Sequence, residues 1–306
     1  RMDFSRPFFA GKSNIVQLIF LLLFVLAGMI IFSALATLVC SAIYDTTTWS
    51  KAANPAAFLR ITQTITSIGS FLLPALLFSF CQDKKWFHFN ACDRQPHYLL
   101  VNVTLVLSIV LLPIVAALAG WNESMVLPEK LSGIEKWMRS MEDTVAQMQY
   151  VMTFQHTYGT LIANMLVLAL LPAVCEEFIF QGALQRFLHK NCHMTHAAIW
   201  ITAFVFSTIH MEFYGFLPRF LLGVYLGYLY YWSRSLWLPI LAHFLHNALS
   251  LLVDFTFAGR GILIDQVRFT DIRGAVPMLL TCSLVTAMSL VFMWKVQKDF
   301  NTPEWD

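Results

Sequence analysis

The sequence predicts an all-α fold, a polytopic membrane helical bundle of about eight transmembrane helices with one amphipathic helix outside the bilayer. Three observations carry this. Of 306 residues, 58% are hydrophobic and 12% are charged, against roughly 25% charged in soluble domains. Predominantly apolar runs of about 18 residues or more recur along the chain, each long enough to cross a hydrocarbon core. No repeat, low-complexity tract or second core interrupts them, so residues 1–306 read as a single membrane domain.

The spans fall at 15–43, 60–81, 98–119, 159–188, 195–211, 216–233, 236–254 and 275–295. The first exceeds the apolar core of a signal peptide and lacks a small-residue cleavage site, so it is expected to remain as an anchor. The fourth is long and the fifth short, which implies tilt or an extension beyond the bilayer. Residues 45–59 form a polar connection, with Asn54-Pro55 as a turn signal. Between Trp121 and His156, the apolar residues Leu131, Ile134, Met138, Met141, Val145 and Met148 recur at spacings of 3, 4, 3, 4 and 3. That period is an amphipathic helix over about 131–150, lying on the protein or at the interface.

Orientation follows from Lys and Arg in the short flanks. Arg1, Arg6 and Lys12 precede the first span, Lys84, Lys85 and Arg94 follow the second, and Arg186 and Lys190 follow the fourth. Arg234 follows the sixth, and Lys295 and Lys298 end the last. Both termini are therefore expected in the cytoplasm, in the plasma membrane if the source is prokaryotic; Arg260 to Arg273 adds three arginines on the opposite side, offset by Asp265 and Asp271. The net charge of +2 carries no nucleic-acid signal, and no nucleic-acid partner is expected. The six cysteines are scattered without metal-ligand pairing, and Cys175 reads as a small buried hydrophobe.

Against this apolar background, Glu176 and Glu177 stand inside the fourth span. A carboxylate in hydrocarbon costs at least a few kcal/mol, so such a pair marks a polar cavity, a partner or a reaction. His210 lies at the end of the fifth span, with Phe206 four residues before it. His243 and Asn247 share one face of the seventh, with His246 beside them. Counting about 1.5 Å per residue from the neighbouring turns puts Glu176, His210, His243 and Asn247 within about two helical turns of one depth. One shared site explains this better than separate helix-to-helix hydrogen bonds. A glutamate there is suited to take a proton from water, and Asn247 and a histidine can donate to the oxyanion formed when water attacks a peptide carbonyl. The same set could hold zinc through Glu176, His210 and His243, with one position open to water, although no HExxH helix is present.

At these residues the chain resembles the CAAX protease and bacteriocin-processing family of intramembrane endopeptidases, which includes the type II CAAX prenyl endopeptidases. The pattern is Glu-Glu-x-x-x-Arg, then Phe-x-x-x-His, then His-x-x-x-Asn or Asp. It is met here by Glu176-Glu177, by Phe206 with His210, and by His243 with Asn247, over about residues 159–250. The resemblance implies that Glu176 activates water, that Glu177 assists or orients it, and that His210, His243 and Asn247 complete the catalytic set, with or without a divalent metal. The motif arginine is replaced by Gln181, which keeps hydrogen-bonding capacity and loses a fixed charge; Arg186 and Arg219 are the candidates to stand in for it.

The expected activity is therefore hydrolysis of a peptide bond in a membrane-associated protein or peptide, in contact with the lipid bilayer. The alternative is an attenuated or silent member that binds, confers immunity or scaffolds a membrane-protein partner, for which Gln181 is the support. A transporter with a carboxylate proton relay is a third reading, opposed by the lack of paired broken helices in the two halves of the chain.

Overall fold

The computed structural model describes residues 7–154, 157–192, 194–258 and 272–299. Among them there is no strand. Ser13 caps the first helix, α1 (Asn14–Tyr44), by accepting from Val16 N, and Asp45 ends it in a left-handed conformation. Asn54 Oδ1 accepts from Ala57 N at 3.1 Å, and Pro55 occupies the first turn of α2 (Pro55–Ser67). The Asn54-Pro55 pair therefore starts a helix instead of making a free turn, because asparagine is a strong N-cap and proline needs no donor at N1.

The chain continues through a wide π turn (Ile68–Leu72) into α3 (Leu73–Gln82), then the short α4 (Trp86–Phe89) and α5 (Tyr98–Glu123). The amphipathic segment forms α6 (Ser132–Thr153). A long helix follows, Tyr158–Asn191, made of α7 (Tyr158–Asn164), a π segment (Met165–Leu170), α8 (Leu171–Glu177), a second π segment (Phe178–Gln185) and the start of α9 (Arg186–Cys192). The first of these π segments ends two residues before Pro172, whose missing N–H forces the ladder to re-form around it; the second contains no proline. Last come α10 (Thr195–Ile209), α11 (Phe216–Ser233), α12 (Trp237–Ala258) and α13 (Ile272–Asp299).

Among the described residues, six helices are long and apolar enough to cross a membrane, and the chain is an integral membrane protein of the helical-bundle class. The other two spans counted from sequence do not meet that standard. α10 has 15 residues and covers about 22 Å, and α11 carries Arg219 among its apolar residues and several tyrosines in its second half. Residues 260–271, Arg1, Arg6 and His156 lie outside the described residues, as do the side chains of Cys192 and Arg273.

The long helix is central. One apolar cluster joins it to α1, α3 and α10 through Phe78, Phe180, Phe187 and Phe206. A second joins α5, α11, α12 and α13 through Leu107, Leu229, Leu238 and Met293. With no water to exclude, close backbone approach drives such crossings. Gly227 provides one: a Cβ there would sit 2.7 Å from Gln185 Oε1, and Gln185 Nε2 donates to Gly227 O at 3.0 Å.

A buried carboxylate and imidazole centre

The glutamate pair ends α8, facing α10 and α12. Glu177 is fully buried, and its Oε1 lies 2.8 Å from His243 Nδ1. A carboxylate can only accept, so His243 donates through Nδ1 and turns its Nε2 outward to the site. His210 is fixed in the same sense: its Nδ1 donates to Phe206 O at 2.7 Å. The two free nitrogens meet one atom, Glu176 Oε2, each at 3.8 Å. Those distances exceed direct hydrogen bonds.

Phe206 organises this geometry. Its carbonyl orients His210, and its ring lies edge-on to the rings of His210 and His243 at centroid distances of 5.0 and 6.0 Å. Exposure is graded across the site. The side chains of Glu177 and His243 are closed off, Glu176 retains 12% of its accessible surface and His210 24%. Glu176 and His210 thus form the reachable side, with Glu177 and His243 behind them.

Glu176, Glu177, His210 and His243 come together as the sequence predicts. Asn247 lies one turn along α12, half-buried, and makes no side-chain hydrogen bond among the described residues. Gln181 is buried, and its Oε1 has no partner. Of the candidate replacement cations, Arg186 sits beside Tyr230 and lines a small pocket with Gln185, His189 and Thr195. Arg219 is near enough to Glu176 and His210 to act on both electrostatically. Zinc chemistry would need three ligands in reach of one ion, and no group of three or more His, Cys, Asp or Glu side chains is arranged to hold a metal among the described residues.

The loop after His210 shows partners the sequence reading missed. Asn122, at the end of α5, donates to Phe213 O and accepts from Leu217 N. On α6, Glu142 accepts from Tyr214 N, Trp137 packs on Phe213, and Arg139 lies 4.2 Å from the centroid of the Tyr214 ring. Burial pushes the Glu142 carboxyl up from its ordinary range, with Glu212 adding to the rise, and the hydrogen bond from Arg139 holds Glu135 below its own. A polar asparagine at a span end was the available signal for Asn122; nothing in the α6 period marked Glu142.

Fold and site together define an integral membrane protein with a shielded Glu-His centre. Residues 158–249 match the family described as type II CAAX prenyl endopeptidase Rce1-like, the segment in which the resemblance to the CAAX protease and bacteriocin-processing family lies. The chain is also similar to the uncharacterized protein YpbD of Bacillus subtilis (strain 168), 28% identical over 116 residues, which cover 37% of this chain and 50% of that protein. The chain thus spans about half the length of the curated relative it matches. No solved structure matches it.

Proposed function

We propose that the protein is an intramembrane endopeptidase that hydrolyses a peptide bond of a membrane-associated protein or peptide, with residues 159–250 carrying the reaction inside one membrane domain. The observation that carries this reading is the convergence of two tethered imidazoles on one oxygen of Glu176, each 3.8 Å away. A water between these groups gives a proton to Glu176 as its oxygen attacks the carbonyl carbon. His210, neutral with its lone pair at Nε2, orients that water. Negative charge then develops on the carbonyl oxygen. His243, with the Glu177 carboxylate behind its Nδ1, donates from Nε2 to that oxygen, and the Asn247 amide is a second donor. As the C–N bond breaks, the proton held by Glu176 passes to the leaving amine.

The family match supports protease chemistry over transport, and the Lys and Arg distribution supports cytoplasmic termini, in a plasma membrane if the source is prokaryotic. The competing reading, a silent member that binds a membrane partner, has one observation in its favour: Gln181 occupies the arginine position, buried and with an unpartnered oxygen. Cleavage of a fluorogenic membrane peptide by the full chain in nanodiscs separates the two. We expect turnover by wild type and none by folded Glu176→Gln. Equal rates from both would refute the assigned mechanism, and a silent wild type would favour the binding reading. Metal content of the same preparation, compared with His210→Ala, decides whether a divalent ion takes part.

A further inference from the structure

We propose that Arg219 is a positioning residue for His210, acting through its ion pair with Glu212; this rests on the protease reading above. His210 is the C-cap of α10, so the helix ladder holds it on one side only. The next residue, Met211, turns the chain at φ 56°, a left-handed conformation that costs a non-glycine residue about 1–2 kcal/mol. Something beyond the turn must hold it. Glu212 is bonded directly to Arg219 in the first turn of α11, with about a fifth of each side chain exposed. The guanidinium lies against Gly215, where a Cβ would come 3.2 Å from Nη2 and 3.5 Å from Nη1. The ion pair therefore staples the chain one residue after Met211, and the staple fits because position 215 carries no side chain.

The other restraints act further along. Asn122 holds Phe213 and Leu217, Glu142 holds Tyr214, and Ser207 Oγ donates to Phe216 O at 2.7 Å. These persist when the ion pair is removed, so the loop stays folded while the segment next to His210 loosens. The same cation lies within electrostatic range of Glu176 and His210, on a helix other than the one where the motif places its arginine. Its position, set by Glu212, holds the segment after His210 in place, so that the ring tied to Phe206 O keeps its Nε2 toward Glu176.

The test is a double-mutant cycle on the full chain in nanodiscs, with the peptide assay described above. Arg219→Gln and Glu212→Gln should each lower kcat by about 10- to 100-fold, the scale of a small misplacement of a catalytic group, and shift KM by no more than about threefold. The double variant should be no worse than either single one, because the two act through each other. Arg219→Lys should recover most of kcat by pairing again with Glu212. Losses that multiply, a Lys variant as weak as the Gln variant, or a kcat that falls only in step with the folded fraction would overturn the proposal. If Glu176→Gln cleaves like wild type, both readings fall. If Glu176→Gln is dead and Arg219→Gln is fully active, this proposal falls alone.

Discussion

Replacing Glu177 with Gln should separate activity from stability. Glu177 is fully buried and offers Oε1 to His243 Nδ1 at 2.8 Å, while its Oε2 has no partner. Gln keeps the shape and can still accept from Nδ1, so the orientation of the ring survives. What disappears is the charge behind the imidazole. A hydrogen bond to a charged group is worth about 1.5–3 kcal/mol, and a neutral one about 0.5–1.5. The difference, about 1–1.5 kcal/mol, is lost from a transition state in which His243 carries positive charge, and corresponds to a fall in kcat of about 5- to 13-fold. Folding feels the opposite effect, because an ionised carboxylate with one unpartnered oxygen is costly to bury. Tm should therefore hold or rise. Turnover in nanodiscs and thermal unfolding of the same sample measure the two quantities. An unchanged kcat, or a fall in kcat matched by a fall in Tm, would refute the reasoning.

Three further outcomes follow from the same geometry. Gln181→Arg should bring no gain in turnover, because Arg219 already supplies a cation near the site, and it should cost at least about 2 kcal/mol of stability by crowding and burying a charge at a closed position; a large gain in activity would show the natural chain to be attenuated. Gly227→Ala should destabilise by about 1–3 kcal/mol, because its Cβ would meet Gln185 Oε1 at 2.7 Å and Ile199 at 2.8 Å, and a Tm equal to wild type would contradict that crossing. Glu142→Gln tests pH linkage. The raised carboxyl of Glu142 binds its proton more tightly folded than unfolded, so its contribution to stability is greatest at low pH and is lost as pH rises through the folded value. The variant should gain Tm over wild type at pH 7–8, with the gain shrinking as pH falls and gone by about pH 4.5, and a pH-independent difference would rule this out.

Span positions were legible because hydrocarbon imposes one strong rule on composition: the predicted 98–119 and 275–295 became Tyr98–Glu123 and Ile272–Asp299. The number of crossings was less legible, since α10 is short and α11 mixes Arg219 with tyrosines. The convergence of Glu176, Glu177, His210 and His243 could be read from depth and helical period, because each residue is anomalous in its own span. The division of labour among them could not. It depends on which ring nitrogen is tied back, and on Phe206 serving both histidines. The brace around residues 211–217 was equally hidden, because Asn122 and Glu142 lie 95 and 72 residues from the backbone groups they hold. Asn247 shows the limit of the period argument. The i, i+4 face places it near His243, but a shared face does not supply a hydrogen bond.

The wide turns on either side of the glutamates change how this helix can move. Met165–Leu170 lies before α8 and Phe178–Gln185 after it, so Leu171–Glu177 is a two-turn cassette between two segments that each hold more residues per turn than an α-helix. Each such segment changes the angular register between the α turns before and after it. Moving one residue across both boundaries would rotate the cassette by about 100° and carry both carboxylates away from the imidazoles together. Both carboxylates thus ride on a short α segment whose facing toward the imidazoles is set by the wide turns at its two ends.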